Sequence, residues 1–265
     1  MRDGGELIGF APLFCWGVEA PTVSFLGAGI SDYGDLLFAP GCEKRCSDAL
    51  WKFLDQQKTT WHVIDLQEVR GESALLEGQK VQDCSVQKCS VCPVLDLATW
   101  PGSMDSRQRT DWRRALNRLR KNSELRFEMT GDIGEFLRLY EARWGAMDGA
   151  LQRFHREAAA QFCASGLLRL GVVRIDGGAA AAVYGFRTGD TLYCYLSGFD
   201  PAMAKQSPGA VLLGWMIEQA VAEGIKEVDF LRHPESYKYL WGARDRVNYR
   251  VGSYTESSVK PATNA

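Results

Sequence analysis

The sequence predicts an α/β fold of two halves on one plan, each a mixed, mostly antiparallel sheet flanked by helices, the first half incomplete.

 

Three observations predict it. From residue 105 onward, three stretches with helical apolar spacing are followed by three with strand spacing, then by one more helix and strand. The first hundred residues repeat the last step of that order, since Trp61-His-Val-Ile-Asp-Leu66 follows a helical stretch as Ile225-Lys-Glu-Val-Asp-Phe-Leu231 does. Charge divides the chain as well: residues 1–100 hold 8 Lys and Arg against 14 Asp and Glu, net −6, and the remainder holds 23 against 19, net +4. The expected organisation is a partial half over 1–104, a full half over 105–254 and a frayed polar tail over 255–265.

In the first half, Glu6 to Phe14 and Val23 to Leu26 read as strands, Ser47 to Gln57 as a helix, and Trp61 to Leu66 as a strand. The second half opens with a long charged helix, Asp105 to Asn122, in which Trp112, Leu116 and Leu119 recur at helical spacing. Asp132 to Trp144 and Leu151 to Ser165 each carry one apolar stripe, with Gly166 placed as a stop. The period then becomes that of strands, over Leu167 to Ile175, Ala179 to Arg187 and Thr191 to Phe199, with Asp-Gly-Gly and Thr-Gly-Asp turns between them. This is an antiparallel meander. A loop over Asp200 to Gly209 leads into a helix, Ala210 to Glu223, and a strand, Lys226 to Leu231, which together make a strand, crossover helix and strand. A short helical piece around Glu235 to Trp241 and a strand over Val247 to Tyr254 complete the pattern.

Composition sets the outer limits. With 265 residues, 46% apolar and 24% charged, the chain has the make-up of an ordinary globular protein, which excludes collagenous, coiled-coil and wholly disordered readings. No apolar run approaches the roughly 20 residues of a membrane span, and the richest, Gly209 to Ala222, carries Glu218, so no membrane insertion is expected. The acidic opening, followed by a short apolar stretch broken by Pro12, predicts no signal peptide and a cytoplasmic location. Eight cysteines in a chain of this size are expected to be reduced thiols. Cys89-x-x-Cys92, with Cys84 or with Cys42-x-x-x-Cys46, offers zinc donors but lacks two closely spaced pairs, so no metal is expected, and Cys163 and Cys194 read as core. His62 and His155 have no acidic, Ser or Cys partner in view and receive no role.

Chemistry concentrates in three places. The loop Ala204-Lys-Gln-Ser-Pro-Gly-Ala-Val211 delivers a strand to the N-terminus of a helix, where free amides and the helix dipole favour anions. Pro208 suits a first turn and Gly209 allows close approach to the backbone; an ordinary Ser-Pro helix start is the plainer reading. The stretch Asp229 to Lys238 gathers Asp229, Arg232, His233, Glu235 and Lys238 at the carboxyl end of a strand, a common address for ligand contacts. His233 is a candidate base because its ordinary pKa lies near neutrality, the alternative being a solvated loop histidine. The segment Arg107 to Lys121 carries seven basic residues against the single acid Asp111, either a solvated helix face or an attractor for an anionic substrate.

Specific motifs carry a family resemblance. Arg113-Arg114-Ala-Leu-Asn-Arg-Leu, Tyr195-Leu-Ser-Gly-Phe-Asp-Pro201, Ser207-Pro-Gly-Ala-Val-Leu-Leu213 and Asp229-Phe-Leu-Arg-His-Pro-Glu-Ser-Tyr-Lys238 followed by Trp241 resemble the acyltransferase domain of the CelD/BioF-like branch of the GNAT superfamily, related to the FemABX peptidyltransferases. Gly-Phe-Ala-Pro-Leu and Ser31-Asp-Tyr-Gly-Asp-Leu-Leu37 resemble its first GNAT-like half, so the likeness covers nearly the whole chain. The phosphate-loop pattern Q/R-x-x-G-x-G/A falls on Gln206-Ser-Pro-Gly209-Ala-Val211, with Val at the last small position, and His233 stands where the family typically has Gly.

The resemblance implies an N-acyltransferase, acting in polysaccharide or cell-envelope synthesis, that transfers an acetyl or other acyl group from acyl-CoA to the amine of a small-molecule or glycan-precursor acceptor. Gln206, Ser207, Gly209 and Ala210 would then bind the donor's pyrophosphate, and the Thr191 to Phe199 edge its pantetheine arm. Tyr237 would protonate the leaving thiolate, and Lys238 would bind an anionic acceptor or stabilise developing charge, with a surface ion pair to Glu235 as the plain alternative. Tyr195, Arg232 and Glu235 would contact substrate, and Asp229 and His233 complete the catalytic set. A FemABX-type aminoacyltransferase using aminoacyl-tRNA, and an inactive binding module of the same fold, are the rival readings.

Overall fold

The computed structural model describes residues 1–77 and 84–253; the expected polar tail from Thr255 lies outside them. The chain divides into two compact units, residues 1–92 joined by the stretch from Arg246, and residues 93–245. In chain order the elements are β1 (Arg2–Asp3), β2 (Glu6–Leu7), β3 (Gly9–Phe10), β4 (Leu13–Trp16), β5 (Thr22–Phe25), β6 (Leu37–Phe38), α1 (Glu43–Gln56), β7 (Val63–Arg70) and β8 (Cys84–Asp96). There follow α2 (Ser106–Asn122), β9 (Leu125–Met129), α3 (Gly134–Trp144), α4 (Gly149–Ala164), β10 (Leu168–Ile175), β11 (Gly178–Thr188) and β12 (Thr191–Phe199). A 3₁₀ turn (Pro201–Gln206), α5 (Pro208–Ala222), β13 (Glu227–Asp229), α6 (Ser236–Leu240) and β14 (Arg244–Ser253) end the description.

In the first unit β5 pairs with β4 antiparallel and with β7 parallel, and β7 pairs with β14 antiparallel. The parallel pair is possible because α1 carries the chain back across the unit. Leu50, Trp51 and Leu54 of α1 are buried with Ile64, Leu66 and Val69 of β7 in this unit's own core.

The second unit has strands in the order β8-β13-β12-β11-β10-β9, antiparallel throughout except for β12 and β13. Helices cover both faces. Leu170, Val172 and Tyr184 pack with α3 and α4, whereas their neighbours Val173 and Val183 pack with α2 and α5, as the two-residue alternation of a strand requires. The crossover β12, α5, β13 is the same device as β5, α1, β7, each a parallel pair bridged by a helix. The architecture is thus a mixed α/β fold, mostly antiparallel and flanked by helices, as the sequence predicts.

Two glycines allow close packing, one of a helix on a strand and one of a helix on a helix. A Cβ on Gly198 of β12 would lie 2.6 Å from the Leu139 carbonyl carbon of α3, and one on Gly214 of α5 would overlap the indole ring of Trp112 in α2. Only hydrogen fits in either place.

Several expectations need correction. Glu6 to Phe14 is not one strand but three short ones, the ladder being interrupted before Pro12, which has no amide proton to donate. The strand read as Lys226 to Leu231 stops at Asp229, because Leu231 adopts a left-handed φ of 58°. Cys163 is exposed on α4 rather than part of the core. The strands β8 and β9 lie outside the predicted elements: β8 presents no simple apolar alternation, and β9, Leu-Arg-Phe-Glu-Met, alternates over only five residues directly after a long helix.

Candidate active site

Parallel pairing between β12 and β13 ends at Tyr193 and Asp229, but β12 runs on to Phe199. The amide of Asp200 donates to the Ala180 carbonyl, 2.9 Å away, so the alternation of an antiparallel ladder turns the backbone groups of Ser197 away from β11, towards the side that β13 has left. A cavity of about 340 Å³ opens there, entirely within the second unit. Its walls are β12 from Cys194 to Phe199, Gly209, Ala210 and Leu213 of α5, Gln108 of α2, Arg143 and Trp144 of α3, and Phe230, Tyr237 and Trp241.

Ser207 precedes α5 in a left-handed conformation, φ 54°, and its hydroxyl caps no amide. The first amide taken up within the helix is that of Val211, which donates to the Ser207 carbonyl, 3.1 Å away. Gly209 and Ala210 precede it at the positive end of the helix dipole and line the cavity. A side chain on Gly209 would meet nothing within 4 Å. Val211, the departure from the family pattern, is fully buried against the strands and therefore leaves the loop open.

The polar cluster after β13 is organised around Lys238. Its Nζ, 3% exposed, donates to the carbonyls of Leu231 at 3.2 Å, Arg232 at 2.6 Å and His233 at 2.9 Å, and pairs with Glu235 at 2.7 Å. Buried Asp229 accepts from the Leu231 amide at 2.8 Å. The loop is therefore tied from both ends, and it needs to be, because Leu231 and His233 are both held at positive φ, 58° and 77°. At φ 77° His233 occupies a backbone conformation that glycine adopts without strain.

Of the residues singled out in sequence, the structure brings Tyr195, Gly209, Ala210 and Tyr237 to the cavity. Gln206, Ser207, Asp229, Arg232, His233, Glu235 and Lys238 are not among its lining residues. Burial, then Cys194 and Glu235, pushes the Tyr237 phenol well above its ordinary range. Burial first, and then Asp229, pushes the Cys194 thiol up to about 12, against a smaller downward pull from Lys238. Sequence reasoning missed Gln108, Arg143 and Trp144, which carry no motif. Among the described residues no group of three or more His, Cys, Asp or Glu is placed to hold a metal ion, and no helix is long and apolar enough to cross a membrane.

The profile of a family described as an acetyltransferase (GNAT) domain matches residues 106–239. Among solved structures, FemX superposes with a TM-score of 0.66 at 12% identity, over 95% of this chain and 86% of its own. L-PGS from Bacillus licheniformis gives 0.61 at 12% identity, over 90% and 79%. A tandem GNAT protein from the clavulanic acid biosynthesis pathway gives 0.52 at 15% identity, over 94% and 80%. At such identities the likeness is one of fold. No curated protein sequence matches the chain.

Proposed function

Because this chain belongs to the GNAT acetyltransferase domain family, we propose that it is an N-acyltransferase of the CelD/BioF-like branch, moving an acetyl or other acyl group from acyl-CoA to the amine of a small-molecule or glycan-precursor acceptor. The observation that carries this reading is that the Tyr237 ring and the N-terminal residues of α5 line one cavity at the edge of β12.

The residues present fit such a donor. Gly209 and Ala210 offer a helix N-terminus with open space before it, and the cavity walls are mostly apolar, as a pantetheine arm requires. The Ser197 carbonyl already accepts the Trp144 indole N–H at 3.0 Å, so an arm laid along β12 would do without that acceptor. The donor supplies a thioester carbonyl open to attack. The acceptor nitrogen forms a bond to that carbon, the carbon–sulfur bond breaks, Tyr237 gives a proton to the departing sulfur, and the nitrogen's proton passes to water, which restores the phenol. Lys238, Asp229 and Glu235 are positioning residues here: they hold the loop and the start of α6 that carry Tyr237. A place in polysaccharide or envelope synthesis, and a cytoplasmic location, are part of the same proposal.

The test is calorimetric titration of the protein with acetyl-CoA and CoA. Saturable binding that is lost in Gly209→Trp supports the reading, and absence of binding to folded protein defeats it. Aminoacyl transfer from tRNA is the second reading, favoured by the basic outer face of α2, where Arg113, Arg120 and Lys121 make no ion pair among the described residues. Salt-sensitive tRNA binding in place of acetyl-CoA binding would select it. Binding of either without turnover would indicate an inactive module.

A further inference from the structure

Arg143 is the only charged side chain among the cavity's lining residues. In sequence it is merely a cation in the last turn of a helix, where the dipole favours one. The structure gives it a fixed place. Its guanidinium carbon lies 4.4 Å from the Trp144 ring centroid and 5.2 Å from that of Phe199, so two aromatic rings flank a guanidinium that stays exposed, with its N–H edge open to a partner. No carboxylate pairs with it among the described residues, whereas Glu135 at the other end of the same helix pairs with Arg174 of β10 at 2.7 Å.

The support beneath it is equally definite. Trp144 is tied to β12 through the Ser197 carbonyl at 3.0 Å, and α3 is pressed onto β12 where Gly198 has no side chain. Arg143 thus stands over the Phe199 end of β12. From that end the chain passes through the 3₁₀ turn into α5, whose Gly209 and Ala210 line the same cavity. A planar cation and a helix N-terminus therefore converge on a cavity with no other charge in its lining.

We infer that Arg143 reads the donor's phosphates: its N–H edge takes phosphate oxygens while the start of α5 takes others. This deepens the acyl-CoA reading and rests on it. The test is calorimetry on the full chain with three probes: acetyl-CoA, the phosphate-free S-acetylpantetheine, and inorganic pyrophosphate. Arg143→Gln is expected to weaken acetyl-CoA and pyrophosphate about tenfold each, the scale of one charge-assisted hydrogen bond, and to leave S-acetylpantetheine unchanged. Arg143→Lys, which keeps the charge and loses the fork, should fall between. Arg126→Gln, which removes an exposed charge paired with Glu124, should change nothing.

Undiminished acetyl-CoA and pyrophosphate affinity in Arg143→Gln overturns the inference. So does an equal loss for S-acetylpantetheine, which would make Arg143 part of the cavity wall, or a change only in acceptor KM. If the wild-type protein binds no acetyl-CoA, the acyl-CoA reading fails, and pyrophosphate decides this inference by itself: Arg143-dependent binding supports a phosphate site, and absent or Arg143-independent binding overturns it.

Discussion

The phenol of Tyr237 has a pKa raised above its ordinary value of 10.0, burial acting first and the neighbouring Cys194 and Glu235 adding to the rise. It therefore holds a proton to give across the ordinary working range of pH. Tyr237→Phe should lower kcat about a hundredfold while leaving acetyl-CoA affinity nearly unchanged, as steady-state kinetics beside calorimetry would show. An unchanged kcat would reduce Tyr237 to packing. His155 illustrates the opposite sign. It is 1% exposed, its Nδ1 has no partner, and burial lowers its pKa from 6.5. Below pH 6.5 the unfolded chain takes a proton that the folded one refuses, so stability declines as pH falls, by up to about 1.4 kcal/mol per pH unit for this one group. Urea unfolding at pH 7.5 and 5.5 should show that slope, and His155→Phe should flatten it.

At the scale of elements, backbone contacts decide what the site contains. Gly198→Ala would drive a methyl group into the backbone of α3 at Leu139 and Tyr140, where nothing flexible can yield. The cost is expected to be about 2 kcal/mol, with acetyl-CoA binding weakened as Arg143 and Trp144 are displaced. Gly209 is the contrasting case. Its side-chain space is empty, so Gly209→Trp should fold normally and lose donor affinity more than tenfold. The loop after β13 depends on a single ammonium group. Lys238→Ala leaves three carbonyls and Glu235 without their shared partner, and should lower stability by about 3 kcal/mol together with turnover. Loss of turnover at an unchanged melting temperature would instead place Lys238 in the chemistry.

Over the whole molecule, the same strand, helix and parallel strand occurs in each unit, with a separate core under each. Charge does not repeat in the same way, since residues 101–265 carry net +4 and the first hundred carry net −6. The positive field belongs to the part that carries the cavity, and it should draw phosphate-bearing donors towards it. Raising salt should accordingly slow acetyl-CoA association, and the triple change Arg113→Gln, Arg120→Gln, Lys121→Gln should weaken that salt dependence while leaving kcat at saturation unchanged. Stopped-flow association at several salt concentrations measures it.

Local patterns determined much by themselves. The helical stripes of α2, α3 and α4, the meander of β10 to β12 and the crossover through α5 are written in periodicity and turn residues, because each element's own face must find a core. The start of α5 was legible in the same way, since Pro208 and Gly209 act on their own backbone. What only the tertiary structure decided is which side chains share the cavity. Arg143 and Trp144 reach it because Gly198 lets α3 lie against β12, and Lys238 turns inward because two left-handed residues fold three carbonyls around its ammonium group. Neither effect has a signature in the order of residues, because each depends on segments brought together by packing rather than by sequence.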